Sequence, residues 1–141
     1  MNKERQSEIK AKLIIRDFEF SPEEITQLLN ICPTQTWLRG ETVTPRAKNV
    51  HKSNGWLLAS PCNPVGSSIE AQIDSLFSIV APHADAFAKL PVGTNVELYC
   101  VMYVADYREP VIIYQSDTIK MLAKLGASVG IDIYDLREIH P

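Results

Sequence analysis

The sequence has few cysteines, and they are widely spaced. Its three cysteines are Cys32, Cys62 and Cys100, with no CxxC spacing and no Cys/His cluster. This pattern argues against a disulfide framework and against structural zinc, because both need paired or clustered ligands. We therefore predict three structural thiols, no metal site and no cofactor.

Long apolar runs and common catalytic motifs are also missing. No stretch approaches the ~20 apolar residues of a membrane-spanning helix, and the first five residues are polar or charged after Met1. The motifs GxSxG, HExxH, GxGxxG and the phosphate-binding loop do not occur. We expect a cytoplasmic protein that does not associate with membranes.

The chain has no excess of basic residues. It carries 14 Lys and Arg against 17 Asp and Glu, for a net charge of −3, and its pI is about 5.6. Non-specific nucleic-acid binding needs a basic surface that neutralises phosphates. We therefore expect no nucleic-acid partner.

What the sequence does contain is ordinary for one globular domain. Hydrophobic residues make up 45% and charged residues 22% of the 141 positions. A chain of this length buries about two thirds of its unfolded surface in one core. We predict one domain over residues 1–141, with residues 1–8 as a flexible N-terminus.

The strongest strand pattern lies in residues 96–105. Every second position there is apolar, which is the period of a strand with one buried face. The polar run 106–110 and the β-branched run Val111–Tyr114 then predict a second strand, so that both form a central hairpin. Other strands are predicted at Ile9–Phe20, Trp56–Ser60 and Val129–Tyr134, with an Asn54-Gly55 turn before the second of these.

Three segments have helical patterns. Ser21-Pro22-Glu23-Glu24 is a strong helix start. Ile69–Val80 has the clearest amphipathic spacing, after a capping box at residues 67–70. A third helix is predicted with Ser116 or Asp117 as its N-cap, Ile119 among its apolar positions and Gly126 as its C-cap. A further short helix is predicted at His83–Leu90.

The order of these elements predicts the fold class. We expect an α+β protein with a mostly antiparallel sheet of five to six strands and two to three helices packed on one face. Each end of the chain places a short capped helix after a strand, which is consistent with a duplicated β-α-β unit.

These features together resemble one known family. The resemblance is carried by the helix start at residues 21–25, by Gly40-Glu41, by Gly55-Trp56 and by the closing segment 122–134. The sequence resembles a bacterial family of unknown function, DUF4279, over nearly its whole length. The resemblance supports the fold and implies no activity or catalytic residues.

One candidate binding region is the basic connection 37–56. Arginine grips phosphate or carboxylate groups with two hydrogen bonds, and a tryptophan supplies a flat wall. The alternative is that the tryptophans pack on the core while the bases are solvated loop charges. The predicted ligand-binding residues are Trp37, Arg39, Arg46, Lys48 and Trp56.

A second candidate is the less apolar face of the central strand. Tyr99 and Tyr103 share that face, and exposed tyrosines are favoured at binding surfaces. Asp132 and Asp135 on the last strand would add an acidic rim. The alternative is that the tyrosines form a second small core under the connection.

Three functions are compatible with these patterns. The first is a non-catalytic protein-binding module, of which a toxin-neutralising immunity protein is one form, with a protein partner or a second copy as its target. The second is a protein that binds a small phosphate or carboxylate ligand in the connection. The third is a hydrolase or nuclease, which would need His83 with Asp85 or His51 with Glu41 to converge in a cleft.

Overall fold

The computed structural model describes residues 6–106 and 109–137. Glu8, within the segment predicted to be flexible, already begins a strand, while residues 1–5 lie outside the described part. The elements in chain order are β1 (Glu8–Phe18), α1 (Pro22–Leu29), β2 (Gln35–Trp37), β3 (Asn54–Ala59), α2 (Ile69–Val80), a 3-10 helix (Ala81–Lys89), β4 (Asn95–Val104), α3 (Ser116–Leu125) and β5 (Ala127–Asp135).

The strands form one five-stranded sheet in the order β2-β3-β1-β4-β5. β1 lies in the middle and pairs antiparallel with both β3 and β4. β2 is also antiparallel to β3, whereas β5 is parallel to β4. The predicted α+β class with a mostly antiparallel sheet is therefore confirmed.

The alternation of β1 places its odd-numbered side chains in the core. Ala11, Leu13 and Ile15 are almost fully buried. The register shifts between Arg16 and Phe18, and Asp17 between them has a φ of 62°. This irregularity turns Phe18 back into the core and ends the strand two residues earlier than predicted.

The residues that cap the helices agree with the predicted caps at some ends and differ at others. The Ser21 hydroxyl accepts from the Glu24 N–H at 3.3 Å, as the sequence predicts. Ser68, and not Ser67, caps α2 by accepting from the Ala71 N–H at 3.0 Å. α3 has Gln115 as its N-cap, one residue before the predicted cap, and ends at Gly126 with a φ of 67°, as predicted.

All helices contribute to a single core on one face of the sheet. The predicted His83–Leu90 helix is present as the 3-10 helix, in which Ala84 and Phe87 are buried. Ile119, however, is 56% exposed, and Thr118 takes the inward position on α3. The helical residues of this core are Ile25, Leu29, Ile69, Ile73, Leu76, Val80, Ala84, Phe87, Leu122 and Leu125.

The predicted central hairpin is wrong. Residues 111–114 form no strand, and the side chains of Val111, Ile112 and Ile113 are 65%, 38% and 52% exposed. β4 already pairs with β1 on one edge and β5 on the other, so no edge is left for a hairpin partner. The β-branched run is a local signal that this pairing overrides. Residues 107 and 108 of the predicted turn lie outside the described part.

One smaller expectation is also corrected. Asn54 and Gly55 begin β3 instead of forming a turn, because both pair with β1. The β-α-β segments at the two ends of the chain share a strand direction: β1 and β2 on either side of α1 run parallel with β3 between them, and β4 and β5 on either side of α3 run parallel as neighbours. This arrangement is consistent with the predicted duplicated β-α-β unit.

The buried thiol of Cys100 provides a pH-dependent test of this core. Burial raises the pKa of Cys100 from 9.0 to about 11, and the interaction with Tyr114 opposes the rise only in part. Because the folded state holds the Cys100 proton more tightly than the unfolded state, the raised pKa contributes to the free energy of unfolding. This contribution is fully present below pH 9 and is lost as the pH rises through about 11. We expect ionisation of Cys100 to lower the free energy of unfolding by roughly 2 kcal/mol between pH 9 and pH 11. Chemical denaturation of the wild type and of Cys100→Ala across this pH range measures the effect. If the free energy of unfolding fell equally with pH in both proteins, the burial of the thiol would be contradicted.

Candidate functional site

The sheet face opposite the helices carries the main candidate site, and we call it the open face. Strand pairing brings its residues together: Lys12 lies opposite Tyr99, and Ile14 lies between Leu57 and Glu97. The parallel register aligns Tyr103 with Tyr134. The open face consists of Lys10, Lys12, Ile14, Arg16, Leu57, Glu97, Tyr99, Val101, Tyr103, Asp132 and Tyr134.

The open face has a small apolar centre. Ile14, Leu57 and Val101 are 6%, 9% and 7% exposed, yet none belongs to the core under the helices. The neighbouring positions on this face of β1 are Lys12 and Arg16, residue types whose aliphatic stems can lie on apolar surface while their charges stay in water. This centre explains why Ile14 is apolar although the even-numbered positions of β1 face away from the helices.

Tyrosines line the β4 and β5 side of the open face. The rings of Tyr103 and Tyr134 stack with centroids 5.3 Å apart and planes inclined by 16°. The Lys10 ammonium lies 5.8 Å from the centre of the Tyr103 ring, within cation–π range. The Tyr99 hydroxyl donates to the Asp132 carboxylate, and this hydrogen bond raises the pKa of Tyr99 to about 12.

The two aspartates predicted as an acidic rim lie in different places. Asp132 shares the open face with Tyr99 and Tyr103. Asp135 is in register with Val104 and binds Arg137 through two side-chain hydrogen bonds of 2.9 Å. These bonds lower the pKa of Asp135 to about 2. The open face is therefore bordered by one of the predicted acids, and its central strand is basic.

Trp37 joins the connection to the sheet. It lies in register with Gly55, and a Cβ at residue 55 would overlap the Trp37 indole, so glycine is what allows the ring to lie across the sheet. The Trp37 ring stacks on His51 with centroids 4.7 Å apart. A further antiparallel bridge between Thr42 and Val50 orders the connection.

Beside this stack lies a cavity of about 1000 Å³ that we call the basic groove. Arg39 lines a neighbouring cavity of about 440 Å³ together with Asp17 and Lys52. The cationic and aromatic residues that define the basic groove are Arg16, Trp37, Lys48, His51 and Lys52.

The structure brings together only some of the predicted ligand-binding residues. Trp37 and Lys48 line the basic groove, and Arg39 is next to it, whereas Arg46 is exposed and lines neither cavity. Trp56 is fully buried on the helix side, where its indole N–H donates to the Thr26 hydroxyl at 3.0 Å. Trp56 therefore cannot act as the second wall of a ligand site.

Arg16 is a groove residue that sequence reasoning misses. It is remote from the connection in the chain and reaches the groove through the pairing of β1 with β3. Its position on the polar side of β1 is the only signal in the sequence. Its guanidinium is also 3.6 Å from the Glu97 carboxylate, which links the basic groove to the open face.

The predicted acid–base residues have other contacts. Asp85 forms an ion pair with Lys124 at 3.0 Å, and His51 stacks on Trp37. Within residues 6–106 and 109–137, no three His, Cys, Asp or Glu side chains are grouped closely enough to hold a metal ion. The helices in this part of the chain are also too short or too polar to span a membrane.

These observations define an α+β protein whose five-stranded sheet is covered by helices on one face and carries tyrosines and bases on the other. A family model described as Domain of unknown function (DUF4279) matches residues 7–136. The chain belongs to the DUF4279 family. No curated protein and no solved structure matches it.

Proposed function

We propose that this protein is a cytoplasmic, non-catalytic protein-binding module whose contact surface is the open face. The observation that carries the proposal is the composition of that face: the stacked Tyr103 and Tyr134 rings are accessible, and charged side chains surround them over a buried apolar centre. Protein interfaces have this arrangement, with aromatic and arginine anchors inside a polar rim.

The charges indicate what kind of partner fits. Lys10, Lys12 and Arg16 follow one another on the open side of the central strand, while Glu97 is engaged by Arg16. A partner that places carboxylates opposite this row and an apolar side chain against the Tyr103 and Tyr134 rings would be complementary. A toxin inhibited by an immunity-type protein is one partner of this kind.

Paired affinity purifications test this proposal. The bait is the full chain, and the binding variant is Tyr103→Ala, which removes a half-buried ring from the open face. The matched control is Ile79→Ala, a partly exposed residue of α2 on the helix side. We expect a stoichiometric partner that the wild type and the control retain and the binding variant loses by roughly tenfold or more.

Thermal unfolding of both variants establishes that each is folded. A partner held equally by all three proteins would place the contact elsewhere and contradict the proposal. Recovery of no stoichiometric partner from native lysate would also count against it.

The basic groove supports a second candidate function, the binding of a small anionic ligand. Three cationic side chains, from Arg16, Lys48 and Lys52, line the same cavity as the stacked Trp37 and His51 rings. Such a site fits a phosphate- or carboxylate-bearing molecule with a flat group.

A thermal-shift screen with phosphate and carboxylate metabolites tests the groove. A ligand at about 100 times its Kd stabilises the protein by about 2.7 kcal/mol. We expect the shift to be lost in Lys48→Ala and kept in Arg46→Ala, because Arg46 does not line the groove. A shift that depends equally on both residues, or the absence of any shift, would contradict this function.

A further inference from the structure

The outer edge of β5 is a long strand edge. β5 is nine residues long and pairs with β4 on one side, and no described strand lies on its other side. The opposite edge of the sheet is the three-residue strand β2. Long exposed edges expose unpaired backbone groups, and proteins normally protect them with prolines, lysines or bulges.

None of those protections is present in β5. Residues 127–135 contain no proline, lysine or arginine. The register with β4 runs from Ala127 to Asp135 without a shift, so no bulge twists the edge away. The edge is therefore free of a bulge, and no described strand pairs with it.

One hydrogen bond shows which residues of β5 point their backbone N–H and C=O groups away from β4. The Leu136 N–H donates to the Val104 carbonyl at 2.7 Å. Because successive residues of a strand point their N–H groups to opposite sides, the even-numbered residues of β5 bond to β4. The outward donors and acceptors then belong to Ala127, Val129, Ile131, Ile133 and Asp135.

The sequence of β5 is complementary to itself in the antiparallel direction. If two copies meet with Ile131 opposite Ile131, Ile133 lies opposite Val129, and all of these residues have outward backbone groups. Side chains opposite each other then share a face, as antiparallel pairing requires. Ile133 and Val129 are 49% and 42% exposed, so their pairing buries apolar surface that the single chain leaves in water.

The charges of β5 permit the same register. Asp132 lies opposite Gly130 and Asp135 opposite Ala127, so no two carboxylates are directly opposed. Both acids are also engaged within their own chain, Asp132 by Tyr99 and Asp135 by Arg137. The edge therefore presents little repulsion to a second copy.

We propose that two copies of this protein pair through β5 in an antiparallel, two-fold arrangement centred on Ile131. The ten strands form one continuous sheet, and the two open faces become a single surface. The partner is a second copy because the edge matches its own sequence in spacing, hydrophobicity and charge. This dimer does not depend on the proposed protein-binding function of the open face.

Sedimentation velocity over a range of concentrations tests the dimer. We expect twice the monomer mass of 15.8 kDa at roughly 100 µM, well above the Kd of a stable interface. Ile133→Lys places a charge at the paired edge and should give a monomer. Val92→Lys, at a fully exposed loop position, is the matched control and should remain a dimer.

A crosslinking experiment tests the register independently of any loss of association. In the proposed dimer Ser128 lies opposite Tyr134 of the second copy, at a non-hydrogen-bonded pair with Cα atoms about 4.5 Å apart. Mixing Ser128→Cys with Tyr134→Cys, each in a Cys32→Ser/Cys62→Ser background, should give a mixed disulfide. A mixture of Ser128→Cys with Asp132→Cys is out of register and should crosslink several-fold less.

Three outcomes would overturn the proposal. They are a monomeric wild type at the highest concentration, a dimer that persists in Ile133→Lys, and equal crosslinking of the two mixtures. Circular dichroism of each variant shows that it is folded.

Discussion

Replacing Trp56 with alanine is expected to cost about 3–5 kcal/mol of unfolding free energy. Trp56 belongs to β3, and its side chain is fully buried on the helix side of the sheet. Its indole N–H donates to the Thr26 hydroxyl of α1. The substitution leaves a large cavity in the core and removes the donor to the Thr26 hydroxyl, which keeps its own bond to the Pro22 carbonyl. Urea denaturation of the purified variant measures the loss.

Trp37→Ala is the matched control for this experiment. Trp37 is half-buried and packs on the surface of Gly55 and on His51, so its removal opens no closed cavity. We expect a loss of only ~1 kcal/mol, because apolar area is lost at the surface alone. Equal losses for the two tryptophans would contradict their placement on opposite faces of the sheet.

Replacing Gln72 with leucine should cost about 3 kcal/mol, since it removes the partner of the buried Ala11 N–H and three part-buried hydrogen bonds. Gln72 is 1% exposed, and its amide links α2 to β1 and to the loop before α2. Its Oε1 accepts from the Ala11 N–H at 3.3 Å, and its Nε2 donates to the carbonyls of Cys62 and Asn63 and to the Ser67 hydroxyl.

Thermal and chemical denaturation measure the effect of Gln72→Leu. Gln35→Leu, at an exposed position of β2, is the control and should stay within about 0.5 kcal/mol of the wild type. If the Gln72 variant were as stable as the control, the hydrogen-bond network around this amide would not contribute to folding.

The features that the sequence predicts well depend on neighbours in the chain. The Ser21 cap, the amphipathic stripe of α2 and the left-handed Gly126 each follow from a few adjacent residues. The alternation in β4 predicts its buried face correctly for the same reason, since side chains alternate whatever strand lies beside them.

The features that the sequence does not predict depend on pairing between distant segments. Val111–Tyr114 has the composition of a strand, but β4 has no edge left for it. Trp37 and Trp56 look equivalent in the sequence, yet the pairing of β2 and β3 directs them to opposite faces. Gln72 carries no local signal, because its partners lie in other segments.

The candidate site shows the same division. The position of Tyr99 and Tyr103 on one face of β4 follows from alternation, whereas the apolar centre needs β1, β3 and β4 side by side. The order of strands also separates Asp132 from Asp135 and brings Arg16 to the basic groove.

Nuclear Overhauser contacts across β4 test the arrangement of the open face most directly. We expect contacts from the Tyr103 ring to Tyr134 and Lys10, together with backbone contacts between Leu98 and Val129 in the parallel register. Contacts between β4 and residues 111–114 in a hairpin register, with none to β5, would show that the tyrosines do not form the surface described here.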